Sequence, residues 1–195
     1  MRYLFVIILL FSSIISPQIV IAGPFGTEMG EQKEKFQDIK PLDNTGFPGE
    51  VYYVNRMPKS HSDFEKYILI FGSEGLAAIC AVSQSFINDS YGTQSRNLYD
   101  KLKEQLTEKY GAPKSFEQLK YNSIWKEPRE FITSIEKHER QHGCEWTGNL
   151  PNNIKRIRIV ISASSSSSSA VNLFYTYTNY DNLEQQKLNI DKESL

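Results

Sequence analysis

The chain reads as an α+β domain: an antiparallel sheet, a meander plus a C-terminal hairpin, with two main helices packed on one face. Three observations point there. The apolar runs YILIF and LAAICAV are separated by GSEG, a hairpin signal between two buried strands. Leu98, Tyr99, Leu102, Leu106 and Tyr110 then recur at helical spacing. Beyond residue 153, Ile157, Ile159, Ile161 and Ala163 alternate with polar neighbours, as do Val171, Leu173, Tyr175 and Tyr177 after a serine run. Strands, helix, helix, strands is the order of a sheet with helices segregated to one side.

Taken in order, MRYLFVIILLFSSIISPQIVIA has the plan of a secretory signal. Arg2 is the positive start, residues 3–15 form the apolar core, and Val20, Ile21 and Ala22 make a cleavage-like end. Cleavage after Ala22 is expected, giving an exported protein, periplasmic or extracellular. Read uncleaved, residues 3–22 nearly match a bilayer of about 30 Å, but Ser12, Ser13, Ser16, Pro17 and Gln18 interrupt the run. No comparable run recurs, so no membrane anchor is expected after cleavage. The expected organisation is a signal peptide at 1–22, one domain at 23–180 and a polar tail at 181–195 that reads as a short helix and then frays.

Within the domain, a helical turn is expected over 30–40 and a Pro/Gly/Asn loop over 41–50. Strands follow at 51–54, 67–71 and 76–82. The first helix has Thr93 or Ser95 as its cap and ends at Gly111, two residues before Pro113. A second helix is expected from Pro128 to His142, with proline in its first turn and Gly143 just past its end. The polyserine between the last two strands reads as a solvated flexible turn without function.

The formal net charge of −1 argues against a dedicated nucleic-acid binder. Lys155, Arg156 and Arg158 sit on an alternating strand and read as its solvated face. The two cysteines, Cys80 and Cys144, would meet an oxidising compartment if exported, where such a pair often forms a disulfide. Two unpaired thiols are the alternative.

HERQHGCEW, residues 138–146, carries the H-E-x-x-H pattern in which two histidines bind zinc and the glutamate is general base. At about 100° per residue, His138, Glu139 and His142 would fall on or beside the apolar face of Phe131, Ile132 and Ile135. Three features weigh against the protease reading. The x positions are Arg140 and Gln141, on a helix that should be buried. Gly143 puts the motif in a fraying last turn. The third ligand is missing unless Glu184 supplies it. A closed site of His138, His142, Cys144 and Cys80 is the structural version. The simpler reading makes the histidines the end of a helix, favoured by its dipole, with Glu136 and Arg140 as an i, i+4 pair.

Other candidates are weaker. Ser73 lacks the first glycine of a nucleophile elbow. His61, beside Ser60, Ser62 and Asp63, belongs to a polar connection. Cys80 lies in an apolar strand that disfavours a thiolate. Asn88 begins a glycosylation sequon, relevant only in a glycosylating host. Tyr52, Tyr53, Tyr175, Tyr177 and Tyr180 could line a binding surface or pack the sheet.

AGPFGTEMG, HSDFEKYILIFGSEGLAAICAV, YGT with LYDKLKEQLTEKYG, and SIWKEPREFI together resemble a group of small exported bacterial proteins of unknown function. The likeness spans nearly the whole chain after the signal. It implies a bacterial secretory address, a single domain, and a helix followed by a tryptophan at 128–146. It implies no activity and no site. The function expected is that of a non-enzymatic binding domain for an unknown protein or small-molecule ligand, without cofactor. The alternative is a zinc-dependent hydrolase using His138, His142 and Glu139, with Glu184 or Cys144 as a further ligand.

Overall fold

The computed structural model describes residues 23–43 and 45–193; the expected signal peptide at 1–22 lies outside them. The described strands are β1 (Lys40–Pro41), β2 (Glu50–Val54), β3 (Phe64–Gly72), β4 (Gly75–Ser83), β5 (Phe86–Ile87), β6 (Lys114–Ser115), β7 (Gln118–Leu119), β8 (Arg140–Gln141), β9 (Gly143–Thr147), β10 (Ile154–Ser165) and β11 (Ser168–Tyr177). The helices are α1 (Thr93–Tyr110), α2 (Phe131–Glu136) and α3 (Tyr180–Glu193). One sheet runs β1-β2-β3-β4-β11-β10-β9-β6, antiparallel throughout, with β5 added against β11. The α+β class and antiparallel sheet are those expected from the sequence. Both edges are very short strands carrying lysine, and β1 adds proline, which blunts edge-to-edge pairing.

Alternation decides which side chains meet. Tyr67, Ala81, Leu173, Ile159 and Cys144 form one row across β3, β4, β11, β10 and β9. This face holds the main core, closed by Tyr99, Leu102 and Leu106 of α1 and Phe131, Ile132 and Ile135 of α2. The next row, Ile68, Cys80, Phe174, Arg158 and Glu145, points to the opposite face.

That opposite face carries a helix too. The polar tail, read as a short helix that then frays, forms the fourteen-residue α3, whose Tyr180 and Leu183 pack on Val51, Ile70, Ala77 and Ala78. Lys155 pairs with Asp181 at its first turn. The two main helices α1 and α2 share one face as expected, and α3 adds a helix to the other. Among the described side chains of α3, Tyr180 and Leu183 are the apolar anchors, a stripe too narrow to announce a packed helix. The helical turn expected over 30–40 shrinks to a 3-10 turn at Lys33–Lys35.

The serine run is also more ordered than expected. Its turn is only Ser166 and Ser167; the flanking serines lie in β10 and β11, paired as Ala163 with Ser169 and Ser165 with Ser168. Ser169 Oγ donates to Asp89 Oδ2 at 3.3 Å. The same buried carboxylate accepts the amides of Gln94 and Ser95, both at 3.0 Å. Asp89, rather than Thr93 or Ser95, thus satisfies the first turn of α1, where the helix dipole favours an anion. Gly111 ends α1 as expected, with φ 82°. Among the described residues, no helix is long and apolar enough to cross a membrane.

Candidate functional site

The histidine motif is not on a helix. α2 stops at Glu136, and His138 adopts a left-handed φ of 55°. Glu139 N–H donates to Ser134 O and His138 N–H to Ile135 O, both at 2.9 Å. These are the two bonds of a Schellman stop, with His138 where glycine is usual. Arg140 and Gln141 then pair with β7, and Gly143 starts β9. The expected helix from Pro128 to His142 is corrected to a 3-10 turn, a six-residue helix, a stop and two strands. Gly143 is needed for another reason: a Cβ there would come within 2.5 Å of the Phe116 ring and 2.7 Å of Ile159 O.

The two histidines consequently part. His138 is exposed in the turn, while the His142 ring packs edge-on against Tyr99 at 4.7 Å and Phe131 at 5.4 Å. Burial there disfavours the imidazolium and lowers the His142 pKa from its ordinary value. Arg140 lies over the Phe131 ring at 4.9 Å and donates to Ser134 Oγ at 2.8 Å, so it does not pair with Glu136, which meets Lys137 instead. Arg96 lies over the same ring, also at 4.9 Å. Glu139 accepts Lys120 N–H through its carbonyl and buries one carboxylate oxygen without a hydrogen-bond partner. Glu184 is exposed on α3, across the sheet from His142. Among the described residues, no three His, Cys, Asp or Glu side chains gather closely enough to hold a metal ion. The zinc sets of His138, His142 and Glu139 with Glu184, or with Cys144, are thus not assembled among the described residues.

The cysteines are likewise separate. Both are buried free thiols. They lie in adjacent rows on opposite faces, with β11 and β10 between their strands. Three interstrand steps place them roughly 14 Å apart, against a disulfide limit of about 7 Å between Cα atoms. The expected Cys80–Cys144 bridge is corrected. Burial pushes the Cys80 thiol up to about 12 and raises Cys144 as well, so neither is a ready nucleophile.

The remaining flagged residues serve local structure. His61 Nδ1 accepts the Asp63 amide at 3.3 Å, Asp63 pairs with Lys101, and Ser60 Oγ accepts the Met57 amide. Ser73 is exposed in the turn between β3 and β4. Asn88 is exposed beside Asp89. Tyr175, Tyr177 and Tyr180 are buried; burial pushes Tyr177 up to about 12, and its hydroxyl meets Thr27 Oγ1 at 3.1 Å. Tyr52 shares Glu50 with Lys33.

Tyr53 is different, because it borders a cleft of about 710 Å³ at the β1–β2 end of the sheet. Three segments build it. After the 3-10 turn at Lys33–Lys35, Phe36 turns into the core, and Asp38 reverses the chain with φ 55°, a conformation aspartate tolerates. The chain then enters β1, where Lys40 pairs in register with Tyr53 of β2. Beyond β2, residues 55–58 fold back, their turn held by the Met57–Ser60 bond. Buried Phe36 and Met57 form the floor. Lys35, Lys40, Arg56 and Asp38 stand exposed at the rim. Lys40 and Lys66 place their ammonium groups 5.9 and 5.5 Å from the Tyr53 ring centre. Lys35 is engaged with Glu31 at 3.2 Å. Among the described residues, neither Lys40 nor Arg56 has a carboxylate within salt-bridge distance. Of this set the sequence drew attention only to Tyr53; no spacing links its members, and the chain reversal at Asp38 is what joins them.

Comparison of the chain with family models, with curated proteins and with solved structures returns no match.

Proposed function

We propose that this is an exported, non-enzymatic domain that binds a small ligand in the cleft beside Tyr53. The observation that carries the reading is the cleft itself: about 710 Å³ of space where the buried Phe36 and Met57 and the half-buried Tyr53 meet a set of polar and charged side chains. That size falls within the roughly 300–1,000 Å³ typical of small-molecule sites. Tyr53 adds a flat, half-buried ring at the wall. Export rests on the N-terminal sequence plan and on the resemblance to small exported bacterial proteins.

A plugged variant tests the reading. Gln37 lines the cleft and is exposed, so Gln37→Trp should fill the space without disturbing the core. A panel of small metabolites screened by thermal shift should contain compounds that raise the melting temperature of the wild-type chain and lose that effect in the variant. Compounds that stabilise both proteins equally would place the binding site elsewhere.

A further inference from the structure

We infer that the cleft is built for an organic anion: an acidic group held by Arg56 and Lys40, carried on a flat or apolar body that lies against Tyr53 and the floor. The inference rests on the cleft being the ligand site and adds the ligand's chemical class. Its first support is charge. The lining carries Lys35, Lys40 and Arg56 against the single acid Asp38, in a chain whose formal net charge is −1. The second is that these cations come from separate segments. Lys40 is on β1 and Arg56 follows β2, so the fold brings them to one cavity; they are not a run of charge in sequence.

The third support is what the cations lack. Of the cations that line the cleft, Lys35 meets an acid, Glu31 at 3.2 Å. Among the described residues, Lys40 and Arg56 do not, although they border the largest of the described clefts. Two unneutralised cations over an apolar floor leave a complementary place for one anionic group, and arginine's fork suits a carboxylate, phosphate or sulfonate equally. The ring of Tyr53, with the Lys40 and Lys66 ammonium groups over it, gives the ligand body an aromatic and cationic wall.

Two dyes that differ by one sulfonate test this: anilinonaphthalene sulfonate and its uncharged parent, phenylnaphthylamine. Fluorescence titration of the purified chain should show the sulfonate binding about tenfold more tightly than the parent, the scale of one charge-assisted contact. Arg56→Gln combined with Lys40→Gln should erase that preference while leaving the circular-dichroism spectrum and melting temperature unchanged. Inorganic phosphate should displace the sulfonate dye from the wild type. Equal binding of both dyes, abolished in Gln37→Trp, would overturn the anionic class and leave the cleft as a ligand site. A sulfonate preference that survives in the Arg56→Gln/Lys40→Gln protein would also overturn it. Failure of both dyes to bind, or binding indifferent to Gln37→Trp, would overturn the inference and the ligand-site reading together.

Discussion

Residues 131–146 and residues 35–58 are two unlike ways of using aromatic and charged side chains. In the first, Phe131 is held by two guanidinium groups and the edge of His142, and His142 in turn packs on Tyr99. Gly92 lies so close that a Cβ there would meet the Phe131 ring at 2.4 Å. In the second, Tyr53 stands half-buried at a cleft wall and Lys40 and Arg56 stand at its rim. Interlocked groups fix a fold; exposed charged groups at the rim of a cleft are free to meet a ligand. The contrast assigns stability to the histidine segment and binding to the cleft.

The largest expected effect is on the interlocked side. Phe131→Ala should cost about 3–5 kcal/mol in denaturant unfolding, the range for a buried phenylalanine, because helix α2, two arginines and His142 lose their common partner. A loss below about 1 kcal/mol, the level of an average substitution, would mean the segment is not interlocked.

His142 should report through pH. Burial lowers its folded pKa below the ordinary value of 6.5, so the unfolded chain takes up the proton first as pH falls. Its contribution is then complete above about 6.5 and is lost as pH drops through the folded value. Unfolding free energies measured between neutral and mildly acidic pH should decline with this slope in the wild type. The decline should flatten in His142→Phe, which keeps a ring against Tyr99 and Phe131. An unchanged slope would assign the titration to other groups.

Smaller, and opposite in sign, is the effect at His138. A zinc ligand replaced by glycine would weaken the protein; the left-handed residue of a helix stop replaced by glycine should strengthen it by about 0.5–1 kcal/mol. The same denaturant experiment decides between these signs. On the cleft side, Arg56→Gln should move stability by less than about 0.5 kcal/mol, as expected of an exposed side chain. A larger loss would make Arg56 part of the scaffold.

Much of the scaffold was legible. GSEG between apolar runs, the Leu98-to-Tyr110 stripe and the alternation from Ile157 onward all express periods set by backbone geometry. The Schellman stop was hidden because its backbone bonds leave no composition mark and histidine stood where glycine signals the end. One usable signal was present: His142, Cys144 and Trp146 alternate with Gly143 and Glu145, the period of a strand. Strand register separates Cys80 from Cys144, and no count of cysteines contains that information. The cap of α1 by Asp89, and the meeting of Phe36, Lys40, Tyr53 and Arg56, depend on chain reversals that residue spacing does not encode.

One amide map separates binding at the cleft from structure at the histidine segment. The isotopically labelled chain titrated with anilinonaphthalene sulfonate should show its largest backbone shifts over residues 35–40 and 53–58, with residues 138–144 unmoved. Shifts centred on His138, His142 and Cys144, with the cleft unmoved, would contradict that division.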